Sequence, residues 1–170
     1  MSNIDIPLAE RMRPKSLDSY LGQTHLVGED SILKRAADNA TLPSMILWGP
    51  PGVGKTTLAR ILANKVGLPF QQLSAINSGE KDVREVISRT KSAGMFAGKS
   101  ILFIDEIHRF SKSQQDSLLG AVEQGLVILI GATTENPSFE VIPALRSRCQ
   151  IYVLNHLSHD EMIHLIEKAI

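Results

Sequence analysis

An apolar run, Met45-Ile46-Leu47-Trp48, passes directly into Gly49-Pro50-Pro51-Gly52-Val53-Gly54-Lys55-Thr56. A helical pattern follows, with Leu58, Ile61, Leu62 and Val66 spaced to form one face. The octapeptide satisfies G-x-x-x-x-G-K-[ST] at every constrained position, and the strand–loop–helix setting is the one a phosphate-binding loop requires. Glycines let the backbone wrap a phosphate chain, so that main-chain N–H groups and the helix N-terminus point at negative charge. Gly49, Pro50, Pro51, Gly52, Val53, Gly54, Lys55, Thr56 and the adjoining Thr57 therefore form a nucleotide site. Lys55 would reach the β- and γ-phosphates and the Thr56 hydroxyl would hold Mg²⁺. A glycine-rich turn with an incidental lysine needs neither the strand before nor the helix after.

Beyond residue 44 the elements alternate, which predicts an α/β domain with a parallel sheet. Strand-like runs fall at Met45–Trp48, Phe70–Leu73, Ser100–Ile104, Val127–Gly131 and Ile151–Leu154. The helix after the loop is expected to stop near Gly67. A second runs from about Lys81 to Ala93, with Val83, Val86 and Ile87 inward and Gly94 as C-cap. A third opens at Ser111, whose spacing to Gln114 fits a capping box, and continues through Leu118, Leu119 and Val122 to Gly125. Ser158 and Glu161 form another box before an apolar stripe of Met162, Leu165, Ile166 and Ala169. That stripe is still running at Ile170, so the chain reads as truncated.

The third run, Ser100-Ile101-Leu102-Phe103-Ile104, is followed by Asp105-Glu106. A buried strand that delivers carboxylates at its C-terminal end marks a site in open α/β sheets. Asp105 would bind Mg²⁺ through its water, and Glu106 would act as general base on the attacking water. Successive strand residues face opposite ways, so the two need not compete for one role. A solvent-facing acidic pair is the bland alternative. Small kinases usually lack the glutamate, which disfavours a phosphotransferase. Asp105-Glu106-Ile107-His108 also reads as a D-E-x-H box, but 170 residues cannot hold the second lobe of a helicase. His108 is therefore expected to be a partly exposed loop residue rather than a coupling residue.

Val127–Gly131 runs into Ala132-Thr133-Thr134-Glu135-Asn136-Pro137. A polar residue here could hold the attacking water in line; Thr134 is preferred, with Thr133 and Asn136 as alternatives and a polar turn as the bland reading. Arg146 and Arg148 precede the last strand, and an arginine near a subunit boundary can reach a neighbour's γ-phosphate. Surface arginines more often serve salt bridges or solubility. His156, His159 and His164 do not share a face and have no metal-like spacing with Cys149, so zinc is not expected.

Eighteen basic and eighteen acidic residues give zero formal net charge, so composition does not advertise nucleic acid. A local patch remains compatible with that average. No apolar stretch has the length of a bilayer span, no signal-peptide core is present, and a single cysteine fits a reducing compartment. These features point to the cytoplasm.

Taken together, these residues resemble the AAA+ ATPases. Gly49–Thr56 is similar to their Walker A, Ile101–Glu106 to their Walker B, Thr134 to their first sensor and Arg148 to the arginine finger of clamp-loader-type members. Arg11-Met12-Arg13-Pro14, with Leu17, Tyr20, Leu21 and Gly22-Gln23, resembles the box that lies against adenine, so Arg13 and Pro14 join the nucleotide-binding residues. Arg11–Pro14, Ser44–Thr57, Asp105–Asp116 and Gly131–Phe139 narrow the resemblance to the family of replication-associated recombination protein A and the Werner-helicase-interacting protein.

The resemblance implies a P-loop NTPase of AAA+ type, with a five-stranded parallel sheet between helices and the start of a helical lid. Residues 1–24 would be an N-terminal segment with the adenine-side box, 25–155 the core and 156–170 the start of the lid. It implies ATP and Mg²⁺, a tetramer, and DNA-stimulated ATPase activity at stalled forks, ends or gaps. Implied partners are DNA and single-strand binding protein, with nucleoid association. The second sensor and the tetramer-forming region would lie beyond this chain. Two other readings stay open: a nucleotide-gated DNA or protein binding module with little turnover, and a clamp-loader subunit or branch-migration motor.

Overall fold

The computed structural model describes residues 7–8, 14, 23–28, 31–39, 41–97 and 99–169. Arg11, Met12, Arg13, Leu17, Tyr20, Leu21 and Gly22 of the adenine-side box lie outside these residues. At its centre is a five-stranded parallel sheet of β1 (Met45–Trp48), β2 (Phe70–Ser74), β3 (Ser100–Asp105), β4 (Val127–Thr133) and β5 (Gln150–Val153). Their spatial order is β2-β3-β4-β1-β5, so the loop-bearing strand neighbours β4, which in turn neighbours the acidic-pair strand.

β3 and β4 are the sheet's driest strands. From Ser100 to Ile104 and throughout β4 every residue is buried, as both faces are covered by helices. Alternation divides the core. Met45, Leu47, Ile101, Phe103, Ile130 and Ala132 pack with Leu58, Ala59, Ile61 and Leu62 of the helix after the loop. Ile46, Leu102, Ile104 and Leu129 pack on the other face with Val83, Val86, Ile107 and Leu118.

Among the described residues the helices are α1 (Thr24–Val27), α2 (Ile32–Asp38), α3 (Lys55–Val66), α4 (Glu80–Ala97), α5 (Lys112–Glu123), α6 (Pro137–Glu140), α7 (Pro143–Arg146) and α8 (His159–Ala169). A 3₁₀ turn, η1, spans Ile107–Arg109. α3 ends at Gly67 in the left-handed conformation, with its N–H on the Ala63 and Asn64 carbonyls. Ser111 caps α5 through the reciprocal bonds with Gln114, and Ser158 and Glu161 do the same before α8. Met162, Ile163 and Ile166 of α8 are exposed; the side chains of Leu165 and Ala169 lie outside the described residues.

Several expected boundaries change, with β2 reaching Ser74 and β5 running Gln150–Val153 rather than Ile151–Leu154. α4 does not cap at Gly94 but continues to Ala97. The residues around that glycine, Ala93, Met95 and Ala97, are helix formers, and one interior glycine costs only about 1 kcal/mol. β4 extends to Thr133, because Trp48 of β1 pairs with it and completes the ladder. Thr133 is thus a strand residue rather than part of a polar turn. β3 likewise includes Asp105, paired with Ser74.

Candidate nucleotide site

The phosphate loop joins β1 to α3 at the C-terminal edge of the sheet. Gly52 and Gly54 have φ of 80° and 95°, values that side chains resist, and Gly54 delivers the chain into α3. Val53 is buried and anchors the loop between them. Pro51 and Gly52 are exposed, Pro50, Thr56 and Thr57 half-buried. The first residue, Gly49, donates its N–H to the Thr133 carbonyl at 3.1 Å, so the loop's entry is fixed to the end of β4.

Lys55 is buried, and its ammonium donates to the loop's own carbonyls, Gly49 at 2.5 Å and Pro50 at 3.2 Å. Burial pulls the ammonium below its ordinary pKa, while the carboxylates of Glu106 and then Asp105 oppose that shift. This sensitivity brings the loop lysine and the acidic pair into one electrostatic site, although 50 residues separate them in the chain. A lysine folded onto backbone carbonyls is a cation awaiting a better acceptor, and a phosphate chain supplies one.

The acidic pair diverges by a backbone kink. Asp105 ends β3 and, by alternation, lies on the α3 face of the sheet with Phe103 and Ile101. That shared face suits a cation held between Asp105 and Thr56. Glu106 has left the strand: at φ 56°, ψ 44° it sits in the left-handed region and opens η1. Such a conformation in a non-glycine residue costs about 1–3 kcal/mol and concentrates at functional sites. The two carboxylates thus reach different places, through a kink rather than through continued strand alternation.

His108 is partly exposed and stands in the 3₁₀ turn η1 rather than in a loop. Its side chain is 10% exposed, with Nε2 3.3 Å from Glu106 Oε2 and Nδ1 2.8 Å from Thr133 Oγ1. The cause is packing: Ile107 is fully buried against Gly131, where a Cβ would stand 2.9 Å from its Cδ1. With η1 drawn onto β4 in this way, His108 is carried between the two polar groups. Sequence offered only the D-E-x-H pattern; the 25-residue separation from Thr133 hid the contact.

Of the three polar candidates after β4, Thr133 is fully buried on the face opposite α3 and is bonded to His108. Thr134 is half-buried and follows the strand's end. Asn136 caps α6 through the Ser138 N–H. The two arginines also separate. Arg146 donates from Nε to the Val141 carbonyl at 3.0 Å, whereas Arg148 is exposed and meets Glu123 at 3.4 Å.

Sequence reasoning missed two glutamine clasps. Buried Gln115 donates to the Phe110 and Glu140 carbonyls and accepts from the Ile142 N–H, joining the segment after the acidic pair to the α6–α7 connection. Gln23 donates to the Asn155 carbonyl at 2.6 Å and accepts from its N–H at 2.8 Å. This second clasp brings the described end of the adenine-side box to the exit from β5; Pro14 is half-buried. Neither clasp has a local signal, since Asn155 lies 132 residues from Gln23 and Glu140 and Ile142 lie 25 and 27 residues from Gln115.

A phosphate loop after the first strand and an acidic pair after the third, on a β2-β3-β4-β1-β5 parallel sheet, define a P-loop nucleoside triphosphatase. The family model for the ATPase family associated with various cellular activities (AAA) matches residues 45–157, and the chain belongs to that family. Within it, the chain is 51% identical over 164 residues to replication-associated recombination protein A of Haemophilus influenzae, covering 96% of this chain and 37% of that protein. It is 50% identical over 164 residues to ATPase WRNIP1 of Dictyostelium discoideum, covering 96% and 19%. The Thermotoga maritima RuvB Holliday junction branch migration motor superposes with a TM-score of 0.75 at 32% identity, covering 92% of this chain and 53% of that one. The chain thus spans little more than a third of the bacterial recombination protein it matches. No described helix is long and apolar enough to cross a membrane.

Proposed function

We propose that this chain is the ATP-binding and ATP-hydrolysing core of a DNA replication, recombination and repair factor that works at stalled forks or gaps. The observation that carries hydrolysis is the convergence of Lys55, Asp105 and Glu106 at one sheet edge. The names of its relatives support the process: replication-associated recombination protein A and ATPase WRNIP1. Residues 1–24 act as an adenine-side segment containing Arg13 and Pro14, 25–155 as the core and 156–170 as the start of a lid.

In this reading Lys55 exchanges the Gly49 and Pro50 carbonyls for phosphate oxygens, which the loop N–H groups also receive. Thr56 and Asp105 would hold Mg²⁺, whose charge would offset that of the phosphates. Glu106 accepts a proton from the attacking water and Thr134 keeps that water in line. Arg148, exposed and held by one surface carboxylate, is free to reach a neighbouring subunit's nucleotide and stabilise charge in the transition state. DNA stimulation, a homo-oligomer (a tetramer in the full-length protein) and contact with single-strand binding protein belong to the same proposal.

The test is ATP hydrolysis by the full-length protein with and without gapped or forked DNA. Glu106→Gln should bind ATP and lose turnover; turnover equal to the parent's would remove the general-base role. A branch-migration motor is the second reading, favoured by the likeness to RuvB. Strand exchange on a four-way junction, driven by ATP, would favour it over fork or gap maintenance.

A further inference from the structure

A run of polar contacts between the acidic pair and the end of β4 plays no part in the hydrolysis scheme above. Glu106 Oε2 lies 3.3 Å from His108 Nε2, and His108 Nδ1 lies 2.8 Å from Thr133 Oγ1. The Thr133 hydroxyl accepts from the Glu135 N–H at 3.0 Å and lies 3.2 Å from the Glu135 carbonyl. Thr133 is fully buried and the His108 side chain nearly so, which leaves water little access to compete for these bonds.

The Thr133 hydroxyl can both donate and accept, so it bonds His108 Nδ1 in either ring tautomer. That bond sets the plane of the imidazole and holds Nε2 3.3 Å from the Glu106 carboxylate. The ring edge therefore limits where the carboxylate can swing.

Its far end is anchored where nucleotide is expected to be felt. The Thr133 carbonyl accepts from Gly49, the first residue of the phosphate loop, and Thr134 follows immediately. We propose that His108 is the positioning residue of Glu106, tying the carboxylate's orientation, through Thr133, to the junction of β4 with the phosphate loop. The proposal rests on the reading of Glu106 as general base.

The test uses the full-length protein, with kcat for ATP and equilibrium affinity for a non-hydrolysable ATP analogue measured separately. His108→Ala should lower kcat about tenfold, the usual order for losing a group that orients a catalytic side chain, while analogue affinity stays within about twofold. His108→Gln, whose amide can still donate to Glu106, should recover most of the loss. Thr133→Val should lower kcat less, and in a His108→Ala background its effect through the ring should vanish, leaving only what the lost Glu135 bonds contribute.

A parent-like kcat in His108→Ala beside an inactive Glu106→Gln overturns the positioning role and leaves the base role standing. Additive losses in the double variant overturn the link through Thr133. A Glu106→Gln that turns over like the parent overturns the base reading itself. If His108→Ala does not fold, the shape-preserving Thr133→Val decides: unchanged kcat overturns the proposal.

Discussion

Gly49 and Leu154 meet so closely that a Cβ on Gly49 would stand 2.5 Å from the Leu154 carbonyl oxygen. Leu154 is itself buried, and its N–H donates to the Trp48 carbonyl at 2.7 Å. The entry of the phosphate loop is therefore wedged against the residue that leaves β5 toward α8. One residue further, Asn155 is held by both ends of the Gln23 side chain. Loop, N-terminal segment and β5 exit share one small volume, so a change at one is felt by the others.

Gly49→Ala should be costly at a position that needs no special φ. The methyl group must displace backbone, and overpacking of this kind costs about 1–3 kcal/mol. Urea denaturation should show that loss. ATP-analogue affinity should fall with it, because the displaced loop entry carries the Gly49 N–H and carbonyl. A parent-like midpoint would mean that the β5 exit gives way without cost.

Removing the Gln115 amide leaves the Phe110 and Glu140 carbonyls and the Ile142 N–H without their present partner, the first in a buried setting and the other two part-buried. Each unsatisfied buried group costs about 1–3 kcal/mol, less whatever water can enter to repair. Gln115→Ala should therefore destabilise by about 2–5 kcal/mol in denaturant titration. An effect below about 0.5 kcal/mol, as on an ordinary surface, would contradict the clasp.

Arg148→Ala should separate stability from activity. Arg148 and Glu123 are 56% and 45% exposed, and a pair so exposed is worth less than about 1 kcal/mol. The melting temperature should barely move. Hydrolysis by the assembled full-length protein should fall about a thousandfold or more if the residue acts across a subunit boundary. Mixing Arg148→Ala with Glu106→Gln subunits should then restore some turnover, since one class of mixed interface has both groups intact. A mixture with no recovery would count against action between subunits.

Burial pushes the Cys149 thiol from an ordinary value of 9.0 up to about 11. The folded state thus holds its proton where the unfolded chain releases it. That contribution to stability is complete below pH 9.0 and is lost as pH rises toward about 11. Labelling by a thiolate-selective reagent at pH 8 should be slow in the native protein and fast in urea. Equal rates would show the thiol to be freely ionisable.

Much of the site was legible because its signals are local. The phosphate loop, the acidic pair and both capping boxes are contiguous patterns whose chemistry needs those residues at those spacings. Less legible were the boundaries: Gly94 suggested a stop that its helix-forming neighbours override, and Thr133 looked like a turn until pairing with Trp48 extended β4. The contacts of His108 were hidden for a related reason, since they depend on Ile107 packing against Gly131.

The sequence by itself determined a phosphate-loop pattern after the first strand and two carboxylates at the end of the third. Local geometry dictates both, and alternating elements dictate the parallel sheet. Tertiary structure decided what those groups face: Lys55 within the field of Glu106 and Asp105, Glu106 beside His108, Gly49 against Leu154, and Gln23 on Asn155. The physical reason is crossover. A strand order of β2-β3-β4-β1-β5 inserts β4 between the loop strand and the acidic strand, so the decisive neighbours are far apart in the chain.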